Sequence, residues 1–166
     1  MAMLHYVDDR PIVLTENGAW EQGGEPLHPK VALLFSAQVV PTGPAEFEIQ
    51  IGHQRQRVEV RDAAFFVRSL LLQRDDDGTL VELKGRLSDG REEVLDPATF
   101  EQREDGVFYV RLVRNGFKTR CRLSSSQYHE LALECEPAEI DGYQIDIGGK
   151  GWRIDEPMGP PNIPII

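Results

Sequence analysis

An alternating segment, Phe47-Glu48-Ile49-Gln50-Ile51-Gly52, recurs late in the chain as Tyr143-Gln144-Ile145-Asp146-Ile147-Gly148. In both copies, apolar residues at every second position predict a half-buried β-strand. An Asn-Gly pair precedes each copy, at Asn17-Gly18 and at Asn115-Gly116, and a helical pattern separates each pair from its strand. This recurring order predicts two units that are built alike.

The turn and helix signals give each unit the form hairpin, short helix, hairpin. Both Asn-Gly pairs favour type I′ turns, because Asn and Gly tolerate the positive φ angles that these turns need. In the first unit, Pro29 suits the first turn of a helix that reaches about Gln38. In the second, Ser124 and Gln127 fit a capping box, and we expect Pro137 to mark the end of the helix.

The residues between these units predict a β-meander. Phe66 to Gln73 and Leu80 to Leu87 read as strands, and Ser88-Asp89-Gly90 turns the second of them into a further strand. The fold class that follows is α+β, mostly antiparallel, with repeat units at residues 1–72 and 73–156. Residues 157–166 are rich in proline, so we expect an extended strap or a disordered end that joins no β-ladder.

The composition is that of a soluble globular protein. Hydrophobic residues make up 40% of the 166 and charged residues 28%, and no apolar run is long enough to span a membrane. The segment from Met1 to Asp9 has no basic leader and no long apolar stretch, so we expect a cytoplasmic protein. Cys121 and Cys135 lack the spacing of a disulfide framework or a zinc site, which predicts two reduced thiols and no metal or other cofactor.

Several short motifs, taken in order, resemble one known family. They are Asn17-Gly18-Ala19-Trp20, Gly24-Glu25-Pro26-Leu27, Val31-Ala32-Leu33-Leu34-Phe35-Ser36, Val58-Glu59-Val60-Arg61-Asp62-Ala63-Ala64-Phe65, and later Tyr109-Val110-Arg111 with Arg114-Asn115-Gly116. Over most of residues 10–155 the chain is similar to the bacterial proteins known as domain of unknown function 1285. The resemblance implies a repeated α+β architecture and no established activity, with a role in signal transduction suggested for the family.

The distribution of charge suggests a binding surface. The net charge is −10 at pH 7, which opposes nonspecific binding to nucleic acid or anionic lipid. Between Val107 and His129, however, there are five basic residues and no acid. Residues two apart on a strand share a face, so Lys118, Arg120 and Arg122 should project together. The same holds for His53, Arg55 and Arg57 if that segment is extended. The candidate ligand-binding residues are Arg111, Arg114, Lys118, Arg120, Arg122, His53, Arg55 and Arg57.

These bases have two interpretations. Several guanidinium groups on one face bind phosphate or carboxylate well. Alternatively, the bases form the solvent face of an antiparallel sheet or a charged edge strand, and nearby acids would reduce the patch to ordinary ion pairs. The first interpretation predicts a noncatalytic cytosolic binding or regulatory module that recognises a protein partner or a small anionic ligand.

The competing class is a small hydrolase that uses carboxylate or histidine chemistry. The sequence has no Gly-x-Ser-x-Gly, Walker-type or Gly-x-Gly-x-x-Gly motif, and its four histidines lack metal-ligand spacing. Helix capping already explains the serines near His129, so we assign no catalytic residue. A nucleic-acid adaptor is a third possibility, which the overall acidity opposes. The sequence leaves the oligomeric state open, and it places Trp20 and Trp152 in the core.

Overall fold

A computed structural model describes residues 10–165 of the chain. Our expectation about an N-terminal leader concerns residues 1–9, which lie outside the described residues, as does Ile166 at the other end. Across residues 10–165, no helix is long and apolar enough to cross a membrane.

The first half of the chain forms a six-stranded sheet with one helix. The elements are β1 (Ile12–Leu14), β2 (Trp20–Gln22), β3 (Glu25–Pro26), α1 (Pro29–Gln38), β4 (Val39–Gly43), β5 (Glu46–Ile51) and β6 (Gln54–Val60). The strand order is β3-β2-β1-β6-β5-β4, and all neighbours are antiparallel except β1 and β6, which run parallel.

The second half forms a larger sheet and a small one. The elements are β7 (Phe65–Arg74), β8 (Leu80–Leu87), β9 (Glu92–Val94), a 3-10 turn (Pro97–Thr99), β10 (Glu101–Gln102), β11 (Phe108–Arg114), β12 (Phe117–Arg122), α2 (Ser125–Ala132), β13 (Cys135–Pro137), β14 (Tyr143–Ile147), β15 (Lys150–Arg153) and β16 (Asn162–Pro164). The larger sheet has the order β10-β11-β12-β7-β8-β9, with β16 added on β12, and the small sheet has the order β13-β14-β15. The contact between β7 and β12 is parallel.

This architecture confirms the α+β fold class, mostly antiparallel, while the repeat stays a prediction. Hairpin, helix and further strands follow in the same order in both halves, but they pair differently. In the first half, the hairpin strand β1 pairs with β6 of the same half. In the second, β12 pairs with β7, and β13 to β15 form their own sheet. The predicted boundary after residue 72 lies within β7.

The two Asn-Gly turns differ, which corrects one prediction. Asn115 has φ 48° and Gly116 φ 81°, as a type I′ turn requires. At the first turn only Gly18 has a positive φ, and its N–H donates to the Thr15 carbonyl at 3.0 Å. The type I′ prediction for Asn17-Gly18 was therefore wrong. One extra residue widens this hairpin, so Gly18 alone adopts the left-handed conformation, as in a glycine bulge.

The helix predictions are largely confirmed. α1 has the predicted bounds, and the Nδ1 atom of His28 accepts a hydrogen bond from the Lys30 N–H at 3.1 Å. The capping box of Ser124 and Gln127 is present at the start of α2. The predicted end of α2 was wrong, because the helix stops at Ala132 and Pro137 belongs to β13. Residues 135–137 pair with β14 and make strand hydrogen bonds in place of helical ones.

One hydrophobic core contains residues from both halves of the chain. Trp20 is buried, its ring packs edge-on against Phe35 at 5.6 Å, and its indole N–H donates to the Ser36 hydroxyl at 2.8 Å. The core position predicted for Trp20 is confirmed. Trp152 is half-buried and packs against this core from the outside.

The proline-rich tail joins a β-ladder, contrary to our expectation. β16 pairs antiparallel with β12, with Asn162 opposite Thr119 and Pro164 opposite Phe117. Proline is compatible with this position because β16 lies on the edge, where not every N–H needs a ladder partner. The Asn162 amide also donates to the Gly43 carbonyl at 2.7 Å, so the tail connects the two large sheets.

Candidate ligand-binding cavity

A cavity of about 480 Å³ lies against the β10-β11-β12 face of the larger sheet. Its walls come from the 3-10 turn, β15 and the tail. Its lining includes the side chains of Glu101, Arg111, Lys118, Trp152, Arg153 and Ile163. Its volume falls within the range of about 300–1,000 Å³ that is usual for small-molecule sites.

A buried ion pair forms one side of the cavity. The Arg111 and Glu101 side chains are 3% and 10% exposed, and the Arg111 Nε atom lies 2.8 Å from Glu101 Oε1. Arg111 Nη2 also donates to Glu101 Oε2, at 3.0 Å. The remaining Arg111 donors reach the backbone carbonyls of Lys118, Pro160 and Pro161. Since every guanidinium nitrogen has a protein partner, Arg111 is a structural group here and has no donor left for a ligand.

The same pair anchors the tail across the sheet. Glu101 Oε2 accepts the Gly159 N–H at 2.6 Å, and Arg120 Nη2 donates to the Gly159 carbonyl. Arg120 has no acidic partner within ion-pair distance among residues 10–165, and its guanidinium lies 5.9 Å from the Tyr109 ring centroid. Burial lowers the pKa of Arg120. Arg111 and Arg120 thus hold the tail by its carbonyls, and this fixes the wall that Ile163 contributes to the cavity.

Lys118 is the cation that the cavity leaves available. Its side chain is exposed, and no carboxylate in the described part of the chain lies within 4 Å of its Nζ atom. Across the cavity, Arg153 is partly engaged, with Nε and Nη2 on the Asp155 carboxylate at 3.1 and 2.9 Å. Trp152 adds an aromatic wall, and the Lys150 ammonium lies 4.2 Å from its ring centroid. This arrangement can hold a small anion with a flat or apolar body.

The other arginines of the predicted basic hairpin are committed to acids. Arg114 is buried, donates from Nε to Asp89 at 2.9 Å and pairs with Glu93 through Nη2. Arg122 donates to Asp62 at 2.9 Å and to the Glu16 carbonyl at 2.9 Å. Both therefore make internal ion pairs, the outcome that we named as the alternative to an anion site.

Asp62 is the centre of a polar cluster that includes Tyr109 of β11 and Arg122 of β12. Its carboxylate accepts the Tyr109 hydroxyl at 2.7 and 2.9 Å as well as the Arg122 contact, while Arg103 lies 3.7 Å away. Burial, followed by the hydrogen bond to Asp62, raises the pKa of Tyr109. The cluster ties the loop before β7 to β11 and β12, and its groups are occupied with one another.

The second predicted triplet lies elsewhere. His53 is in the turn before β6, and Arg55 and Arg57 project from β6 into solvent. Arg57 is 3.9 Å from Glu46, with both side chains more than half exposed. None of these three residues lines the cavity that contains Lys118. Their role in ligand binding stays a prediction without a concave site.

The groups that a hydrolase would need do not converge in this cavity. Glu101 and Glu156 both line it, but Glu101 is held by Arg111 and Glu156 lies 3.8 Å from Arg153. His28 caps α1, and His129 is exposed on α2. In the described part of the chain, no group of three or more His, Cys, Asp or Glu side chains could hold a metal ion.

Sequence reasoning missed the partners of the basic residues. Glu101 lies on a two-residue strand. The tail acceptors of Arg111 and Arg120 are backbone carbonyls, which every residue has, so the sequence does not mark them. Trp152, which we expected in the core, packs against the core and also forms a wall of the cavity. Its neighbours Lys150, Gly151 and Arg153 make a short polar strand at a sheet edge, which is the signal that could have placed it near solvent.

Comparison with known proteins relates the fold to two solved structures. No protein-family profile matches the chain, and no curated protein matches it. A DUF1285 family protein from Silicibacter pomeroyi DSS-3 is 17% identical, with a TM-score of 0.69 over 89% of this chain and 81% of that one. A DUF1285 family protein from Shewanella baltica OS155 is 21% identical, with a TM-score of 0.58 over 75% of this chain and 92% of that one. The chain therefore has the fold of proteins of the domain of unknown function 1285 family, as its sequence motifs predicted.

Proposed function

We propose that this chain is a noncatalytic binding module that holds a small anionic ligand in the cavity beside Lys118. The observation that carries the proposal is the Lys118 ammonium, which has no carboxylate within 4 Å among residues 10–165 and lines a cavity with an aromatic wall. The other cations around the cavity, Arg111 and Arg153, already contact Glu101, Asp155 and Glu156. A ligand anion would supply the counter-charge that Lys118 lacks.

The residues that line the cavity indicate the class of ligand. Trp152, Phe100 and Ile163 offer apolar contact, whereas Lys118 offers a compact charge with three donors. A carboxylate or a phosphate monoester attached to a ring or a short aliphatic body fits both features. Polyanions fit poorly, because Glu156 at the margin and the net charge of −10 repel additional negative groups.

The wider role that we propose is regulatory and cytoplasmic. The chain would belong to the family whose fold it shares, and its two halves would derive from one repeated unit. Its ligand would act as a signal in a transduction process. The support is the shared order of hairpin, helix and further strands, together with the contacts of the cavity's Glu101 with Arg111 and of its Glu156 with Arg153. Hydrolysis of a bound ester by the purified chain would contradict the noncatalytic part.

A thermal-shift screen against nucleotides, phosphorylated metabolites and organic acids tests the proposal. A ligand that binds only the folded chain stabilises it by about 2.7 kcal/mol at a hundred times its dissociation constant. We expect one class of monoanion to raise the melting temperature of the parent chain and to have no effect on Lys118→Glu.

The matched control is Lys30→Glu, which changes an exposed lysine on α1 outside this cavity. The control should keep the full shift. A shift that survives in Lys118→Glu, or that disappears equally in both variants, would contradict the site.

A further inference from the structure

A second, more apolar concavity lies between α1 and the turn that joins β8 to β9. We call it the α1 groove; its volume is about 600 Å³. One wall is the face of α1 that carries Ala32, Leu33 and Ser36, and the opposite wall includes Arg68, Arg86 and Leu87. It shares no lining residue with the cavity beside Lys118.

The apolar side of the groove is unusually open. Leu33 is 71% exposed although it lies in the middle of a ten-residue helix that packs on the core. The buried Trp20 side chain also lines the groove, near the Ser36 hydroxyl that accepts its indole N–H. A large apolar side chain held open beside other apolar lining is the arrangement of a site that takes an apolar ligand group.

Two arginines line the other side of the groove. The pairing of β7 with β8 shifts register between Val67 and Ser69, and Ser69 lies opposite Arg86. Arg68 is exposed at this irregularity, and its side chain and that of Arg86 both line the groove. β-Bulges and similar irregularities are common beside functional sites.

These two cations lack adequate counter-charges. Arg68 has no carboxylate within 4 Å among residues 10–165, and its guanidinium lies 5.9 Å from the Phe66 ring centroid. Arg86 has one exposed contact, with Glu92 at 3.8 Å, which is too long for a hydrogen bond. The remaining acid of the groove, Asp89, is already bound to Arg114. An anion bound by both guanidinium groups would supply the counter-charge that they lack.

We propose that the α1 groove binds a single-chain amphiphile, with its anionic head between Arg68 and Arg86 and its apolar chain along Leu33 and Ala32. The arginine fork matches a carboxylate or phosphate head, and the groove accommodates one aliphatic chain of medium length. A membrane surface fits less well, since the chain as a whole carries a charge of −10 and anionic bilayers would repel it.

Isothermal titration of the full chain with octanoate, below the concentration at which octanoate aggregates, tests this site. We expect octanoate to bind, and octanol and octylammonium to bind at least about tenfold more weakly, because a charge-assisted hydrogen bond contributes about that factor. Arg68→Ala combined with Arg86→Ala should weaken octanoate binding by about tenfold or more. Leu33→Glu, a change at an exposed position, should abolish it.

Two controls separate this site from others. Arg55→Ala combined with Arg57→Ala removes two exposed arginines from β6 and should leave octanoate binding unchanged. Because the cavity beside Lys118 is also proposed to take carboxylates, the titrations are repeated in Lys118→Glu. Octanoate binding that depends on Arg68, Arg86 and Leu33 should persist in that variant, so failure of the first cavity and failure of the groove are distinguishable. Absence of octanoate binding, equal binding of octanol, or binding to anionic phosphatidylglycerol vesicles without binding to octanoate would each overturn the proposal.

Discussion

Breaking the buried pair of Arg111 and Glu101 should destabilise the chain much more than removing the pair altogether. Arg111→Met keeps the length of the side chain but leaves the Glu101 carboxylate, 10% exposed, with the Gly159 N–H as its hydrogen-bond donor. Glu101→Leu likewise leaves the guanidinium, which is 3% exposed, without its acid. In the double variant neither charge is present, so neither remains unpaired.

The magnitude follows from the cost of an isolated buried charge. Removing one partner of a buried ion pair costs about 3–5 kcal/mol, whereas replacing both partners by apolar side chains is often close to neutral. Arg111 also serves three backbone carbonyls, of Lys118, Pro160 and Pro161, and these lose a donor in both Arg111 variants. We therefore expect the double variant to lose about 1–3 kcal/mol, clearly less than the sum of the two single losses.

Urea unfolding at pH 7 of the parent, the two single variants and the double variant gives the coupling free energy directly. Arg57→Met is the matched control, because that arginine is exposed and only 3.9 Å from Glu46, and it should cost about 1 kcal/mol or less. Single losses that add up in the double variant, or single losses no larger than the control, would refute the reasoning.

Three further predictions concern other parts of the fold. Burial raises the pKa of the Cys135 thiol to about 11, so its reaction with Ellman's reagent at pH 8 should be far slower in the native chain than in urea. The hydrogen bond from Arg103 lowers the pKa of Asp105 from 3.8 to about 2, so this stabilisation is present above pH 3.8 and is lost as the pH falls towards 2. Urea midpoints of the parent and Asp105→Asn should thus differ at pH 5 and converge near pH 2, and a constant difference would be evidence against this ion pair. Ser36→Ala leaves the buried Trp20 N–H without its 2.8 Å acceptor and should cost about 1–3 kcal/mol in urea unfolding, whereas no loss would show that water replaces the hydroxyl.

Local signals were sufficient for much of the secondary structure. Pro29 fixes the start of α1 because its missing N–H is tolerated only in the first helical turn, and the predicted bounds of that helix are confirmed. The alternation from Leu80 to Leu87 likewise gave a strand with the predicted bounds. The same Asn-Gly dipeptide has different backbone geometries at Asn17 and at Asn115. The number of residues in the hairpin loop sets the turn type, and the pairing of the flanking strands decides that number.

The tail and the charge partners were beyond local reasoning. Four prolines within residues 157–164 indicated that no ladder would form, yet an edge position requires few N–H groups, and β12 had an open edge there. The pairing of Arg122 with Asp62 and of Arg114 with Asp89 joins residues 60 and 25 positions apart. Such pairs depend on topology, so the sequence showed where the bases are concentrated and could not show which of them would stay unpaired.

The most direct test of the cavity beside Lys118 is a two-dimensional ¹⁵N–¹H NMR titration with benzoate and phenyl phosphate. The chain has two tryptophans, whose indole N–H signals report on separate places: Trp152 lines this cavity, and Trp20 lies in the core beside the α1 groove. The proposed function predicts saturable shifts of the Trp152 indole and of the Lys118 and Gly151 amides in the parent chain, an unmoved Trp20 indole, and no shifts in Lys118→Glu. Shifts of the Trp152 indole that persist in Lys118→Glu, or a spectrum that neither anion changes, would contradict it.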